Sequence, residues 1–388
     1  MEPIYLDHAA TSPIDPQVLE VMVDTYKEII GNPESIHSFG RKARKVVDEA
    51  RHQIAKSIGA RSRDIVFTSG GTEGDNMAII GAARAREALG RHIITTTVEH
   101  HAVFRACAYL EKHGFTVDYL SVDRSGRISI EELEQKLRAD TILVSIMYGN
   151  NEVGSLQPIR EIAHLLADHQ ALFHTDAVQA FGTVDMDVKD TPIDLLSMSG
   201  HKINGPKGIG FLYVRDGVSL SPITYGGDQE RKRRAGTHNV PAIAGLGEAV
   251  WLVRDHLSER IADCLKLRQL LLADLRDAQV NFRVNGNSEH FLPQVLSLYF
   301  PGVSVETLLT RLDLEGVAVS SGSACTAGSV EPSHVLTAMF GAGAAETRSS
   351  LRISFGKGNT AEDVHRAAAI IARVVGELLT AGEAGARQ

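Results

Sequence analysis

Asp194-Leu195-Leu196-Ser197-Met198-Ser199-Gly200-His201-Lys202, followed by Gly205-Pro206-Lys207-Gly208-Ile209-Gly210, is the stretch on which the reading of this chain turns. A short apolar run ends in a polar cluster with one lysine, and a glycine-rich turn leads into a second apolar run, Gly210 to Val214. The pattern predicts strand, turn, strand. A lysine at the end of a buried strand can lose solvation, and its amine is then tuned to form a Schiff base with a carbonyl group. A surface lysine in a β-turn fits the same residues. Lys202 therefore acquires meaning only from its neighbours.

Around that stretch, residues 64 to 215 alternate short β-branched runs with helical patterns, the signature of a βαβ arrangement with a largely parallel sheet. Strands are predicted at Ile65 to Thr68, Ile93 to Val98, Val117 to Val122, Ile142 to Tyr148, Leu172 to Thr175, Leu195 to Met198 and Gly210 to Val214. Helical spacing separates most of them, as in Asn76 to Leu89 and Ile159 to His169. Residues 242 to 275 carry a nearly uninterrupted helical pattern that could bridge two domains. A second mixed pattern follows, with strands at Gln294 to Phe300, Val317 to Ser320 and Ser350 to Phe355 and helices at Val305 to Leu314 and Ala361 to Leu379. The small, polar tail Thr380 to Gln388 reads as frayed.

Length and charge narrow the function. A chain of 388 residues is more than one core usually serves, so a large and a smaller domain are expected. With 43% hydrophobic and 23% charged residues the composition is that of a soluble globular protein. A net charge of -8, with lysines and arginines strung together only at Arg231 to Arg234, argues against nucleic acid as a partner. Neither a basic leader nor a long apolar run is visible, so export and membrane spanning are not expected. Cys107, Cys264 and Cys325 lack paired spacing, which predicts neither a disulfide framework nor a zinc site and suits a reducing cytoplasm. His164, His169 and His174 recur at a spacing that scatters them around a helix, so no metal is expected there.

Ligands of an open parallel sheet sit outside the carboxyl ends of its strands. The first predicted strand is followed by Ser69-Gly70-Gly71-Thr72-Glu73, whose backbone amides and hydroxyl suit a phosphate. The second delivers Glu99, His100 and His101, the fourth Asn150, Asn151 and Glu152, the fifth Asp176 and Gln179, and the sixth Ser199, His201 and Lys202. Singly, each has a plain explanation: a helix start, or His100 and Asp176 as helix caps. Together they suit a ligand with a phosphate, a ring bearing a basic nitrogen, and an aldehyde. That ligand is pyridoxal 5′-phosphate, PLP, with a carboxylate on the ring nitrogen and a lysine on the aldehyde.

The residues also resemble a known family. Asp7-His8-Ala9-Ala10-Thr11, Gly31-Asn32-Pro33, Phe67 through Glu73, Glu99-His100, Asn150 through Gly154, His174 through Gln179, and Ser199-Gly200-His201-Lys202 look like the successive motifs of the class V PLP enzymes. Gly226 through Glu230, Arg234-Ala235-Gly236-Thr237 with Asn239, Ser320 through Thr326, and Arg352-Ile353-Ser354 narrow the resemblance to cysteine desulfurases of the nitrogenase-associated and housekeeping iron-sulfur type. It covers nearly the whole chain. His8 stands where related sequences often carry Asn or Tyr.

The resemblance implies an α/β protein of PLP fold type I. Its large domain, residues 14–255, would hold a mostly parallel seven-stranded sheet, and residues 1–13 with 256–388 would form a smaller α+β domain. Lys202 would hold the cofactor and move the substrate α-proton. Asp176 would pair with the ring nitrogen, Gln179 with the ring oxygen, and His100 would stack on the ring. Gly71, Thr72, Ser199 and His201 would hold the phosphate, with Thr237 reaching in from the partner of a homodimer. Asn151 and Arg352 would receive the carboxylate of L-cysteine. Cys325, in a run of small residues that reads as a mobile loop, would attack the substrate sulfur, keep it as a persulfide and pass it to an iron-sulfur scaffold or another thiol acceptor. The alternative is a selenocysteine lyase or a sulfur donor dedicated to RNA thiolation. Cys107 and Cys264 lie among apolar neighbours and read as packing residues.

Overall fold

The structure, a computed structural model, describes residues 2–321 and 332–385. Cys325 lies outside the described residues. Among the described residues thirteen strands occur in chain order: β1 (Ile4–Tyr5), β2 (Ile65–Thr68), β3 (His92–Thr96), β4 (Thr116–Leu120), β5 (Thr141–Ser145), β6 (Leu172–Asp176), β7 (Leu195–Ser199), β8 (Gly210–Val214), β9 (Arg283–Asn285), β10 (Val295–Tyr299), β11 (Val317–Ala318), β12 (Ser320–Ser321) and β13 (Ser350–Ser354). Seven of them form one sheet in the order β2-β8-β7-β6-β5-β3-β4. Its pairs are parallel except where β8 lies antiparallel between β2 and β7. The predicted mostly parallel sheet is therefore present.

Most of these strands are buried along their whole length, as expected when helices cover both faces. One face packs against helices Pro16–Glu28, Ser38–Ser57 and Val240–Asp255 through Val18, Val47, Ile54, Ile243 and Leu246. The other packs against Gly71–Arg86 and His101–Glu111 through Met77, Ile79, Val103 and Cys107. Each such Leu, Ile or Val gains roughly 1.5–3 kcal/mol from full burial. That gain outweighs the glycines of helix Gly71–Arg86, which cost about 1 kcal/mol each relative to alanine. Gly74 is closely packed: a Cβ there would stand 3.1 Å from Ser197 Oγ, and the serine would have to give by a few tenths of an ångström.

A second sheet runs β12-β13-β10-β9, antiparallel throughout, and β1 pairs with β11. Helices Leu257–Asp277, Val305–Leu314 and Ala361–Gly385 close a separate core around Leu271, Leu298, Leu312, Ile353 and Ile371. Cys107 and Cys264 are buried, as expected.

Four expectations need correction. The pattern from 242 to 275 is two helices, Val240–Asp255 and Leu257–Asp277, parted at His256. Both bury an apolar face, so the periodicity carries across the break. The predicted strand Val317 to Ser320 splits into β11 and β12, which pair with different strands, β1 and β13. Residues 380–385 continue the last helix rather than fray, since Leu378 and Leu379 pack against the core just before them. Strands predicted to reach Val98 and Tyr148 stop at Thr96 and Ser145, which releases the following polar residues into loops.

Candidate active site

β2, β3, β5, β6 and β7 all end at one edge of the large sheet, and the residues after them line a cleft of about 490 Å3. That is within the roughly 300–1,000 Å3 of small-molecule sites. After β2 the chain turns at Gly70, whose φ of 150° suits glycine, and starts the helix Gly71–Arg86 with its first amides unpaired. At Gly71 a Cβ would stand 2.6 Å from Val178 Cγ2, so only glycine lets this helix start approach the loop after β6. Thr72 and Ser199 line the same part of the cleft.

β7 leads into the short turn Gly200–Lys202. Lys202 Nζ donates to the carbonyls of Ala9 at 2.6 Å and Ala10 at 2.7 Å. Gln179 Nε2 also donates to Ala9 O, at 3.0 Å. The motif Asp7 to Thr11 is thus an inner wall of the cleft. His201 Nδ1 lies 3.1 Å from Thr11 Oγ1, and burial, with Lys202 beside it, pushes this imidazole down to about 4.

Asp176 closes β6 and accepts a hydrogen bond from the Val178 amide at 2.9 Å. His100 Nδ1 accepts from the Ala102 amide at 3.1 Å at the start of helix His101–Glu111. The capping role foreseen for His100 is therefore real, whereas Asp176 precedes a turn rather than a helix and its bond to Val178 closes an Asx turn. Neither contact competes with a role in the cleft, because each uses one atom only. With Nδ1 an acceptor, neutral His100 carries its proton on Nε2. Burial lowers the imidazole and raises the Asp176 carboxyl, which His100 and Lys202 pull partly back.

Arg352 enters from β13 of the second sheet and is 1% exposed. Its Nη2 donates to Asp7 Oδ1 at 2.9 Å and its Nη1 to the Asn151 carbonyl at 2.9 Å. Nε has no partner among the described residues. Asn151 and Arg352 are thus brought together as expected.

Thr237 is not in this cleft. It is exposed and lines a neighbouring one with Ser69 and Gly208. Its loop is held by Glu230, which accepts from Arg51 Nη1 at 2.7 Å, Arg51 Nη2 at 2.6 Å and the Phe67 amide at 3.0 Å, and pairs with His238 Nε2 at 2.6 Å. Glu230, Arg231 and Lys232 all have positive φ, at 48°, 56° and 66°. Strain of that kind persists only where the surroundings impose it, and the buried ion pair does so.

Sequence reasoning missed Asp75, which lines the cleft and is buried beside Asp176. Its signal was an aspartate in a helix of small and apolar residues, four positions after Gly71. His174 entered the sequence reading in a histidine series and at the head of the His174-to-Gln179 motif, with no role of its own. Its Nδ1 is 2.8 Å from Ser145 Oγ and its Nε2 3.0 Å from Ser197 Oγ, beneath the strand ends.

Residues 4–367 match the aminotransferase class-V family. The chain is 62% identical, over 97% of its length and 100% of the relative's, to a protein of Bacillus subtilis (strain 168) named putative cysteine desulfurase IscS 1. It is similar to a solved NifS-like protein with a TM-score of 0.90 at 37% identity, covering 96% of this chain and 99% of that one. A structure of SspA in complex with cysteine gives a TM-score of 0.81 at 39% identity, covering 92% and 100%. Motifs, sheet order and whole-length likeness agree: this chain belongs to the class-V aminotransferase family, among its cysteine desulfurases.

Proposed function

We propose that the cleft binds PLP and L-cysteine, and that this desulfurase releases L-alanine while Cys325 keeps the sulfur as a persulfide. The observation that carries the reading is the convergence of Lys202, Asp176, His100, Gln179, Ser199 and His201 on one cleft that Arg352 closes from the second sheet. The donor set fits the cofactor. Helix-start amides at Gly71 with the hydroxyls of Thr72 and Ser199 and the ring of His201 suit a phosphate. Asp176 suits a protonated ring nitrogen, Gln179 the ring oxygen, His100 the ring face, and Lys202 the aldehyde. When bound, PLP supplies a sink for the electron pair left at the substrate Cα.

The residues divide the remaining work. Arg352, with Asn151 beside it, orients the cysteine carboxylate through charge-assisted donors. Lys202 Nζ takes the α-proton, and its contacts with Ala9 and Ala10 fix where that amine sits. His100, neutral and protonated at Nε2, is placed to exchange a proton at the substrate. The Cys325 thiolate forms the new S–S bond as the substrate C–S bond breaks. The released electron pair stays with the carbon skeleton, which takes up protons and leaves as alanine.

Thr237 lies outside its own chain's main cleft, which supports its acting across a homodimer. Ile30, Ile36, Phe39 and Tyr225 are exposed apolar residues that such an interface would cover. The helix break at His256 and the separate second core support residues 14–255 and 1–13 with 256–388 as the two domains. An iron-sulfur scaffold or other thiol protein in the cytoplasm is the acceptor that fits this chemistry. Among the described residues no helix is long and apolar enough to cross a membrane.

A single turnover with L-cysteine and no added reductant tests the reading. About one alanine per bound cofactor is expected, with a persulfide mapped to Cys325, and none from Cys325→Ala. Equal alanine from both proteins would overturn the role of Cys325.

A further inference from the structure

Asp75 has no place in the reaction so far, yet it is among the most deeply buried acids of the cleft, 1% exposed. An oxygen of Asp75, an oxygen of Asp176 and a ring nitrogen of His100 lie within 4.8 Å of one another. Two carboxylates so close and so deeply buried cannot both ionise cheaply. One of them must hold a proton.

The surroundings say which. Asp176 accepts the Val178 amide and is favoured as an anion by His100 and Lys202. Asp75 faces Asp176, Glu99, Ser197 and His174. His174, 3.6 Å from Asp75 Oδ1, has both ring nitrogens against Ser145 and Ser197 and offers no charge, because burial pushes it down to about 3. Asp75 Oδ1 itself has no hydrogen-bond partner.

We propose that Asp75 is the proton-bearing partner of Asp176, a neutral carboxyl that leaves Asp176 alone to carry the negative charge facing the cofactor ring. Asp75 is thus a positioning residue that acts through Asp176, and the inference rests on the PLP reading above. Burial first, then Asp176 and Glu99, push its carboxyl well above the usual range, and the Ser197 hydroxyl opposes this only in part.

Infrared difference spectra of the whole protein, with and without PLP, together with pH titration of the visible band of the bound cofactor, test the assignment. Native protein at neutral pH is expected to show carbonyl-stretch intensity of protonated buried carboxyls, Glu99 among them, and Asp75→Asn is expected to lose one component of it. The titration midpoint should stay within a few tenths of a unit in Asp75→Asn and move by about one unit in Asp75→Leu, which removes the polar partner of Asp176. Carbonyl intensity left undiminished by Asp75→Asn would overturn the proposal. So would an Asn variant that shifts as far as Leu, or a Leu variant that does not shift. If Leu fails to fold, the infrared comparison and the Asn titration still decide. Failure of the native protein to bind PLP would sink the cofactor reading instead, and the infrared band of the apoprotein would still report on Asp75.

Discussion

Arg352 Nη2 donates to Asp7 Oδ1 at 2.9 Å, joining the last strand of the second sheet to the amino-terminal motif that walls the cleft. The pair fixes the plane of a buried guanidinium before any substrate arrives. A carboxylate entering the cleft meets donors already oriented, so little ordering cost remains.

Arg352→Lys keeps the charge and loses the fork. A hydrogen bond to a charged group contributes about 1.5–3 kcal/mol, so kcat/KM for L-cysteine is expected to fall roughly ten- to hundredfold. The loss should appear mainly in KM. The visible band of bound cofactor should be unchanged, because Arg352 is assigned to the substrate. Steady-state kinetics beside an absorption spectrum check both parts, and a lost band with unchanged KM would reverse the assignment.

Lys202→Ala removes both the amine that would hold the aldehyde and the base for the α-proton. Loss of a positioned base costs about 10²–10⁴-fold, so alanine formation should fall at least that far. Borohydride treatment should attach the cofactor to native protein at Lys202 and leave the variant unlabelled. Mass spectrometry of the peptide carrying residue 202 reads the outcome. Gln179 still donates to Ala9 in the variant, so folding is expected to survive.

Glu230 makes the Thr237 loop sensitive to acid. Burial alone would raise its carboxyl, but Arg51 and His238 hold it down at about 2, against an ordinary 4.5. Its folded value is depressed, so its stabilisation is complete above the unfolded value and fades as pH falls from about 4.5 towards 2. The difference is worth about 3 kcal/mol. Glu230→Gln should remove that pH dependence. Arg51→Ala, which leaves the carboxylate buried without its main partner, should cost about 3–5 kcal/mol. Denaturant titrations of the three proteins at pH 7 and at low pH measure both effects.

Much of this was legible in the sequence because strands buried on both faces are written as continuous apolar runs, and Ile65–Thr68 and Gly210–Val214 could be bounded to the residue. Ligand-facing groups of an open sheet follow strand ends, so locating the strands located Asp176, His100 and Lys202 together. Asp75 escaped because it sits inside a helix, where only packing against β7 turns it towards the cleft. The wall formed by Ala9 and Ala10 escaped because it offers backbone carbonyls, and two alanines carry no sign of their acceptors. The break at His256 escaped because both flanking helices keep the same apolar periodicity.

Three histidines add a second acid response, at higher pH, that ligand binding should relieve. Burial pushes His8 and His201 down to about 4 and His174 to about 3, from an ordinary 6.5. Each is neutral in the folded protein and takes up a proton on unfolding once pH drops below 6.5, so stability should fall as pH moves from 6.5 towards 4. Three such protons give a slope of up to about 4 kcal/mol per pH unit in the apoprotein. A phosphate beside His201 would favour its charged form and raise its folded value, so protein loaded with PLP should lose less stability over the same range. His201→Asn should flatten the apoprotein slope by up to about 1.4 kcal/mol per pH unit and abolish the relief from the cofactor. Unfolding free energies at pH 7, 6 and 5, with and without PLP, give the answer. An equal slope in loaded and apo protein would show that His201 does not meet the phosphate.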